Sequence, residues 1–401
     1  MTKVLEGLRI LAVEQYGAGP FGTQLLADLG AEVIKIENPA DGGDVSRQLG
    51  PFWSDSLEDT AGSLFYQSIN RNKCSVAIDL SRQEGQAAFH RLVATADAVA
   101  CNLRGDVPGK LGLTYETLGA VRQDLVCCHL TAYGRTGSRA SWPGYDYLIQ
   151  AEAGYFEING EADAPPSRFG LSIVDFMTGY ALALAVAAGV LEARRNGRGR
   201  DIDVSLFDVG MANLNYLATW ALNTGYRPQR QRRSAHPSLT PCQLFPTADG
   251  WIYIMANKEK FWPRLCQVLG RPDLADDPRF RTFADRLAHR PAMEEQLDAA
   301  FSRATAADWL EKLAGVVPAA PINTVHEALA SRFVEESDLV QTLERDGRAT
   351  GVKVIASPFR TGEATAAEAG PVLGSDTRRF LTEAGLTEAD LVRLEEEGII
   401  R

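Results

Sequence analysis

Pro166-Ser-Arg-Phe-Gly-Leu-Ser-Ile-Val-Asp175-Phe-Met-Thr-Gly-Tyr-Ala-Leu-Ala-Leu-Ala-Val-Ala-Ala-Gly-Val-Leu191 holds a single carboxylate, Asp175, between a short apolar run and a long one. Phe176 to Leu191 carries no charge and is rich in Ala and Leu, both strong helix formers. A helix apolar on every side is expected inside a large core. The run is short for a membrane span, and Arg194-Arg195-Asn196-Gly197 ends it with cations and a glycine stop. Asp175 is therefore expected at the N-terminus of a buried helix. Two readings of it stay open. Aspartate is a preferred N-cap that satisfies helix amides. The same place also stabilises negative charge, so a partly desolvated carboxylate would stay ionised there, as a nucleophile needs.

Working outward, the preceding chain alternates strands and helices. Leu8 to Val13 reads as a buried strand, Gly17-Ala-Gly-Pro-Phe-Gly22 opens a helix, and Ala31 to Glu37 is a second strand. This βαβ start contains GxGxxG, with Glu37 where a ribose-binding acid would stand. Pro20 removes one amide that a pyrophosphate would use, and a tight strand-to-helix turn explains the glycines equally well. A polar turn from Asn70 runs into a strand ending near Leu80; Glu84 to Ala94 is helical. Asp97 to Cys101 and Leu125 to Leu130 are further strands, each ended by a polar turn. The pattern predicts an α/β fold with a mostly parallel sheet covered on both faces. Ligands bind such sheets outside the carboxyl ends of the strands.

After residue 215 the character changes. Tyr226-Arg-Pro-Gln-Arg-Gln-Arg-Arg233 is a basic connection, and Thr247-Ala-Asp-Gly250 a hairpin turn before the strand Trp251 to Met255. Helices are expected over Phe261 to Leu269, Ala292 to Phe301 and Ala306 to Ala314. The expected organisation is a large domain over 1–215 completed by 330–401, and a small α+β domain over 225–325. Linkers fall at 216–224 and 326–329.

At 401 residues the chain is long enough for two domains. A net charge of −11 argues against nucleic acid and anionic membranes as main partners. No signal pattern stands at the N-terminus, so a cytoplasmic protein is expected. The six cysteines and five histidines show no metal-ligand spacing, so no metal site is expected.

Several further segments stand out along the chain. They are Gly7-Leu-Arg-Ile-Leu with Gly19-Pro20, Leu29-Gly-Ala-Glu-Val-Ile-Lys-Ile-Glu37, Asn72-Lys-Cys-Ser75, and Asn102-Leu-Arg-Gly105 with Leu111-Gly-Leu113. Pro143-Gly-Tyr-Asp146, Asp175 in its helix, Gly197-Arg-Gly-Arg200, Asp249-Gly250 and Pro371-Val-Leu-Gly374 follow. In their order and spacing these segments resemble the class III coenzyme A transferases, the group of formyl-CoA transferase and the carnitine CoA-transferase, and the resemblance spans nearly the whole chain. It implies a Rossmann-like large domain, a smaller domain and an interlocked homodimer. It implies coenzyme A as substrate acyl-CoA, rather than NAD, and Asp175 as the nucleophile. Gln15, Tyr16 and Gly17 would support the reaction through backbone amides. CoA would meet Asn72, Lys73, Cys74, Ser75, Asn102, Leu103, Arg104, Lys110, Tyr145 and Asp146. At Asn38 the chain departs from the formyl-CoA transferase type, which has an arginine there.

The implied chemistry moves CoA between carboxylates through an acyl-aspartyl anhydride and an aspartyl-CoA thioester. An α-methylacyl-CoA racemase is the alternative, but its Gly-His-Asp motif reads Gly144-Tyr145-Asp146 here, and tyrosine is a poor base at neutral pH. A CoA-binding non-enzyme would not need the carboxylate. Ser234-Ala-His-Pro-Ser-Leu-Thr-Pro241 occupies the place of a glycine-rich loop, which points away from oxalate and toward succinyl-CoA with dicarboxylic acids. A second carboxylate on the acceptor wants a cation, and Arg47, Arg71 and His236 are the candidates, with Arg232 and Arg233 beside them.

Overall fold

The structure, a computed structural model, describes residues 3–361 and 367–401. Its centre is a six-stranded sheet of β1 (Arg9–Val13), β2 (Glu32–Glu37), β3 (Lys73–Ala77), β4 (Ala98–Cys101), β5 (Val126–Thr131) and β6 (Arg200–Ser205). The strand order is β3-β2-β1-β4-β5-β6, and every pairing is parallel. Alternation along β1 explains why both faces are covered. Ile10 and Ala12 join one apolar cluster with the helix Ala18–Asp28 and the long helix Ile173–Asn196, while Leu11 and Val13 join the other, with Phe89 and Leu92. The order reverses between β1 and β4, which creates the crevice where such sheets take ligands.

The long helix departs from the sequence reading in three ways. It starts at Ile173 behind the N-cap Ser172, so Asp175 is its third residue and not its cap. It runs for 24 residues, long and apolar enough by length and composition to match a membrane span. One side packs inside the chain: Gly189 lies against Val126 and Ile202, and Gly179 against the backbone of Ala18 and Gly22. The opposite side is not buried in this chain, with Leu184 71% exposed and Tyr180 and Leu191 also exposed.

The chain divides into two compact units. The first comprises Met1–Ala153, Phe169–Thr219 and Ser337–Arg401; the second comprises Gly154–Arg168 and Trp220–Glu336. Gly154–Arg168, inside the expected large domain by sequence, is held in the second unit by local contacts. Glu161 accepts the Arg233 amide at 2.9 Å, and Arg230 donates to the Pro165 carbonyl at 2.7 Å. The second unit contains an antiparallel sheet of β7 (Cys242–Pro246), β8 (Trp251–Met255) and β9 (Ala319–Pro321), covered by the helices Phe261–Val268, Arg290–Phe301 and Ala306–Leu313. In the first unit the C-terminal segment adds β10 (Val340–Arg345), β11 (Arg348–Ile355) and β12 (Ala367–Glu368), then covers the edge of β3. Ser75 donates its amide to Asp376 and Ala77 donates to Thr377, both at 3.0 Å.

Candidate active site

The carboxyl ends of β1 and β4 are tied together by one side chain. Asn102 accepts the Gln15 amide at 2.8 Å and donates to the Gln15 carbonyl at 2.6 Å. Tyr16 follows with φ of +72°, the left-handed region that bulky residues avoid. Its amide donates to Asp44 Oδ1 at 3.0 Å. Two of the three amides expected to face an oxyanion, those of Gln15 and Tyr16, are thus already occupied; Gly17 is the one left. The helix Ala18–Asp28 begins immediately after it.

Asp175 reaches this point from the long helix. A Cβ built at Gly17 would stand 2.6 Å from Asp175 Oδ2, so only glycine admits the carboxylate. The other glycines of GxGxxG work the same way. A Cβ at Gly19 would meet Asn102 at 2.8 Å, and one at Gly22 would meet the Gly179 carbonyl at 2.6 Å. The fingerprint therefore serves close helix packing and the approach of Asp175. Glu37, read as a possible ribose partner, is instead taken up by Arg47, at 2.6 and 2.8 Å, and by the Ser75 hydroxyl at 2.6 Å.

Asp175 is 7% exposed, and among the described residues nothing donates a hydrogen bond to its carboxylate. Its own amide donates to Asp146 Oδ2 at 2.9 Å, which brings a second carboxyl group close; Gln150 holds the other Asp146 oxygen at 2.6 Å. Burial first, and the negative Asp146 second, push Asp175 up to about 7. The expectation of a partly desolvated carboxylate that the helix terminus keeps ionised is thereby corrected. Desolvation and like charge outweigh the helix dipole, leaving a basic carboxylate that titrates near neutrality.

A cleft of about 430 Å³ opens in front of Asp175. Its lining brings together Gln15, Tyr16, Gly17, Asn102, Leu103, Arg104 and Tyr145. The Tyr16 ring lies 5.9 Å from Phe65 and 6.1 Å from Tyr145, centroid to centroid. A second pocket of about 210 Å³, bounded by Ile36, Asn38 and Asp79, adjoins the cleft and shares Gln15 and Leu103 with it.

Other expected site residues lie elsewhere. Asn72 to Ser75 mark the amino end of β3, whereas the cleft sits at the carboxyl ends of the strands. Asn72 donates to Asp28 at 2.8 Å, Lys73 is buried on Glu14 at 2.8 Å, Cys74 touches Arg379, and Ser75 holds Glu37. Lys110 is exposed and paired with Asp106, which also binds Arg104. Arg47 is buried against Glu37, the Tyr66 hydroxyl and two carbonyls, with no free face for an acceptor. Arg71 grips Asp28 at 2.6 Å and borders a different cavity. His236 belongs to the second unit, where its Nδ1 accepts the amides of Ser238 and Leu239.

Sequence reading missed the charged network of Glu14, Lys35, Asp44 and Lys73 beneath the turn, because its members are far apart in the chain. It also missed a triad-like set: Cys101 Sγ is 3.2 Å from His129 Nδ1, and His129 Nε2 is 2.7 Å from Asp201. Burial pushes the Cys101 thiol up to about 12, which leaves it a poor nucleophile. All six cysteines are free, and five are buried. Among the described residues no group of three His, Cys, Asp or Glu side chains is arranged to hold a metal.

Comparison with known proteins agrees with this architecture. Residues 5–377 match the model of CoA-transferase family III. The chain is 36% identical to a succinate–glutarate CoA-transferase from Agrobacterium fabrum, over 85% of this chain and 86% of that one. It is 33% identical to a succinyl-CoA:mesaconate CoA-transferase from Haloarcula hispanica, over 95% and 96% of the two chains. The crystal structure of a CaiB/BaiF family protein from Brucella suis superposes with a TM-score of 0.81 at 32% identity, covering 96% of this chain and all of that one. With a family match across nearly its whole length, and relatives at this identity, the chain belongs to CoA-transferase family III.

Proposed function

We propose that this CoA-transferase moves coenzyme A from succinyl-CoA, or a similar acyl-CoA, to a dicarboxylic acid, with Asp175 as the covalent carrier. The carrying observation is Asp175 itself: a buried carboxylate with no hydrogen-bond donor or cation on it, pushed up to about 7, at the mouth of the β1/β4 crevice. A structural carboxylate at that depth would be paired. The names of the curated relatives supply the substrate class. The two adjoining pockets suit a long ligand, with the thioester end before Asp175 and the nucleotide end toward Asn38 and Asp79. Arg104 is the cation lining the cleft among the described residues and would meet an anionic part of the ligand.

In this reaction the Asp175 carboxylate attacks the donor thioester carbonyl. The carbon–sulfur bond breaks, CoA leaves as thiolate, and an acyl-aspartyl anhydride forms. The thiolate attacks the aspartyl carbonyl, expels the donor carboxylate and gives an aspartyl-CoA thioester. The acceptor carboxylate attacks that thioester, forming a second anhydride and releasing the thiolate again. Attack of the thiolate on the acceptor carbonyl yields the new acyl-CoA and regenerates Asp175. A carboxylate of raised basicity is the better nucleophile in the first step. The Gly17 amide at the start of its helix would face the oxyanions of the tetrahedral stages.

The exposed apolar side of the long helix, Tyr180, Leu184 and Leu191, supports a homodimer in which that face is covered. We read the assembly as the interlocked form that the family resemblance implies.

The test is covalent trapping. Succinyl-CoA followed by borohydride should reduce the Asp175 thioester, and hydroxylamine should convert it to a hydroxamate, each seen as a mass change on the peptide holding Asp175. No label on that peptide, with transfer intact, defeats the reading. A panel of dicarboxylates with labelled succinyl-CoA then assigns the acceptor.

A further inference from the structure

Beneath the active-site turn lies a buried polar network, whose Glu14, Glu37 and Asp44 border the second pocket from below. Asp44 and Lys35 have fully buried side chains, and Asp44 Oδ2 is 2.7 Å from Lys35 Nζ. Asp44 Oδ1 accepts the Ser46 amide at 2.8 Å and the Tyr16 amide at 3.0 Å. Lys35 Nζ donates to the Glu14 carbonyl at 3.0 Å. The Asp44 amide is anchored in turn on Glu37 Oε2 at 2.9 Å. With Asn102 on both polar groups of Gln15, the backbone from Glu14 to the Tyr16 amide is held at four points.

We propose that Asp44, oriented by Lys35, is a positioning residue for CoA transfer: it holds Tyr16 in the left-handed conformation that sets the Gln15–Gly17 turn against Asp175. Tyr16 is where this hold is needed. At φ of +72° a bulky residue relaxes toward negative φ unless its neighbours prevent it. A relaxed Tyr16 would swing its ring away from Tyr145 and rotate the peptide that carries the Gly17 amide. Glycine at position 16 would adopt the conformation freely but would lack the ring. The chain thus keeps an aromatic wall in the cleft by clamping a strained backbone from below. The charge of Lys35 aims Asp44, and the oxygen of Asp44 does the holding.

That division of labour is testable. The inference rests on the Asp175 reading, but the two fail differently: transfer retained in Asp175→Asn removes that reading, whatever happens at Asp44. Two double variants remove the buried charges together and differ only in the acceptor, Lys35→Met with Asp44→Asn and Lys35→Met with Asp44→Leu. The asparagine oxygen still receives the Tyr16 amide, so kcat should stay within about three-fold of the parent. The leucine variant should lose on the order of 10- to 100-fold in kcat per folded protein, with KM for succinyl-CoA changed by less than about three-fold. In the Tyr16→Gly background the gap between the two should close, because glycine needs no clamp. Equal kcat for the two double variants overturns the proposal, as does a gap that persists with Tyr16→Gly. If the leucine variant does not fold, Asp44→Ala replaces it. Failure of both to fold beside a folded asparagine variant assigns Asp44 to stability alone and overturns the proposal as well.

Discussion

Asp175 and Glu37 are carboxylates of nearly equal depth in the same unit, 7% and 3% exposed, and they titrate in opposite directions. Burial pushes both up. At Glu37, two hydrogen bonds and the charge of Arg47, with Lys35 and the Ser75 hydroxyl, outweigh burial and hold it below the usual carboxylate range. At Asp175 nothing compensates, and Asp146 adds a second negative charge. Depth is therefore not what separates a structural acid from a reactive one. The separation lies in whether the fold supplies a partner. Asp44 is on the Glu37 side of this line, held down by Lys35 and by the amides of Tyr16 and Ser46 against its own burial.

The contrast is broken most directly at Asp175. Asp175→Asn removes the proposed nucleophile, and transfer should fall by about 10³-fold or more while the chain stays folded. The same variant should be more stable than the parent at high pH. A carboxyl whose folded value is raised stabilises fully below its unfolded value of 3.8, and that contribution is lost as pH rises through about 7. The advantage of the asparagine variant should thus grow from pH 4 to pH 8, to at most about 4 kcal/mol, in denaturant titrations. Transfer near parental levels, with deamidation excluded, ends the assignment.

Next in size is the paired site. Arg47→Met takes from buried Glu37 its main counter-charge, leaving Lys35 and the Ser75 hydroxyl, and should cost about 3–5 kcal/mol of unfolding free energy. The acid limb of the surviving activity should not move, since Arg47 does not act on Asp175. A shift of that limb would show that the two carboxylates are coupled.

Gly17→Ala probes the approach itself. The added methyl would stand 2.6 Å from Asp175 Oδ2, so the carboxylate must retreat, and kcat should fall about 10- to 100-fold with little loss of stability. The smallest effect is expected at Asp146. For the parent, kcat/KM should rise with pH through about 7, where Asp175 ionises. Asp146→Asn removes a like charge, favours the ionised form and should move this limb downward by about one unit. An upward shift would contradict the electrostatic account.

The sheet was legible in the sequence because apolar runs and polar turns alternate so regularly from Leu8 to Leu130. Asp175 was legible because a lone charge interrupts an apolar run. What was not legible depended on strand polarity and distance. The segment Asn72–Ser75 has the composition of a ligand turn but lies at the amino end of β3, where the C-terminal segment covers it. Arg47 has the charge to bind an acceptor but is enclosed by Glu37 and Tyr66. The GxGxxG pattern was visible, while the helix that fills its concavity comes from about 160 residues further along the chain. The Lys35–Asp44 clamp has no local signal, since two lysines and two acids scattered from Glu14 to Lys73 meet only after the sheet has formed.

The contact of Gly22 with Gly179 has a consequence for how this protein can vary. A methyl group on either residue would run into backbone of the opposite helix, at 2.6 Å from the Gly179 carbonyl or 2.9 Å from that of Ala18. Position 17 is closed as well, by the Asp175 carboxylate. Two facing helix positions and the residue capping one of those helices therefore resist even the smallest enlargement. Changes at these three glycines should disturb the helix packing and the Asp175 approach together. A mutagenesis library aimed at new acceptors is best spared from positions 17, 22 and 179 and concentrated on the cleft wall around Val45, Val107 and Trp142.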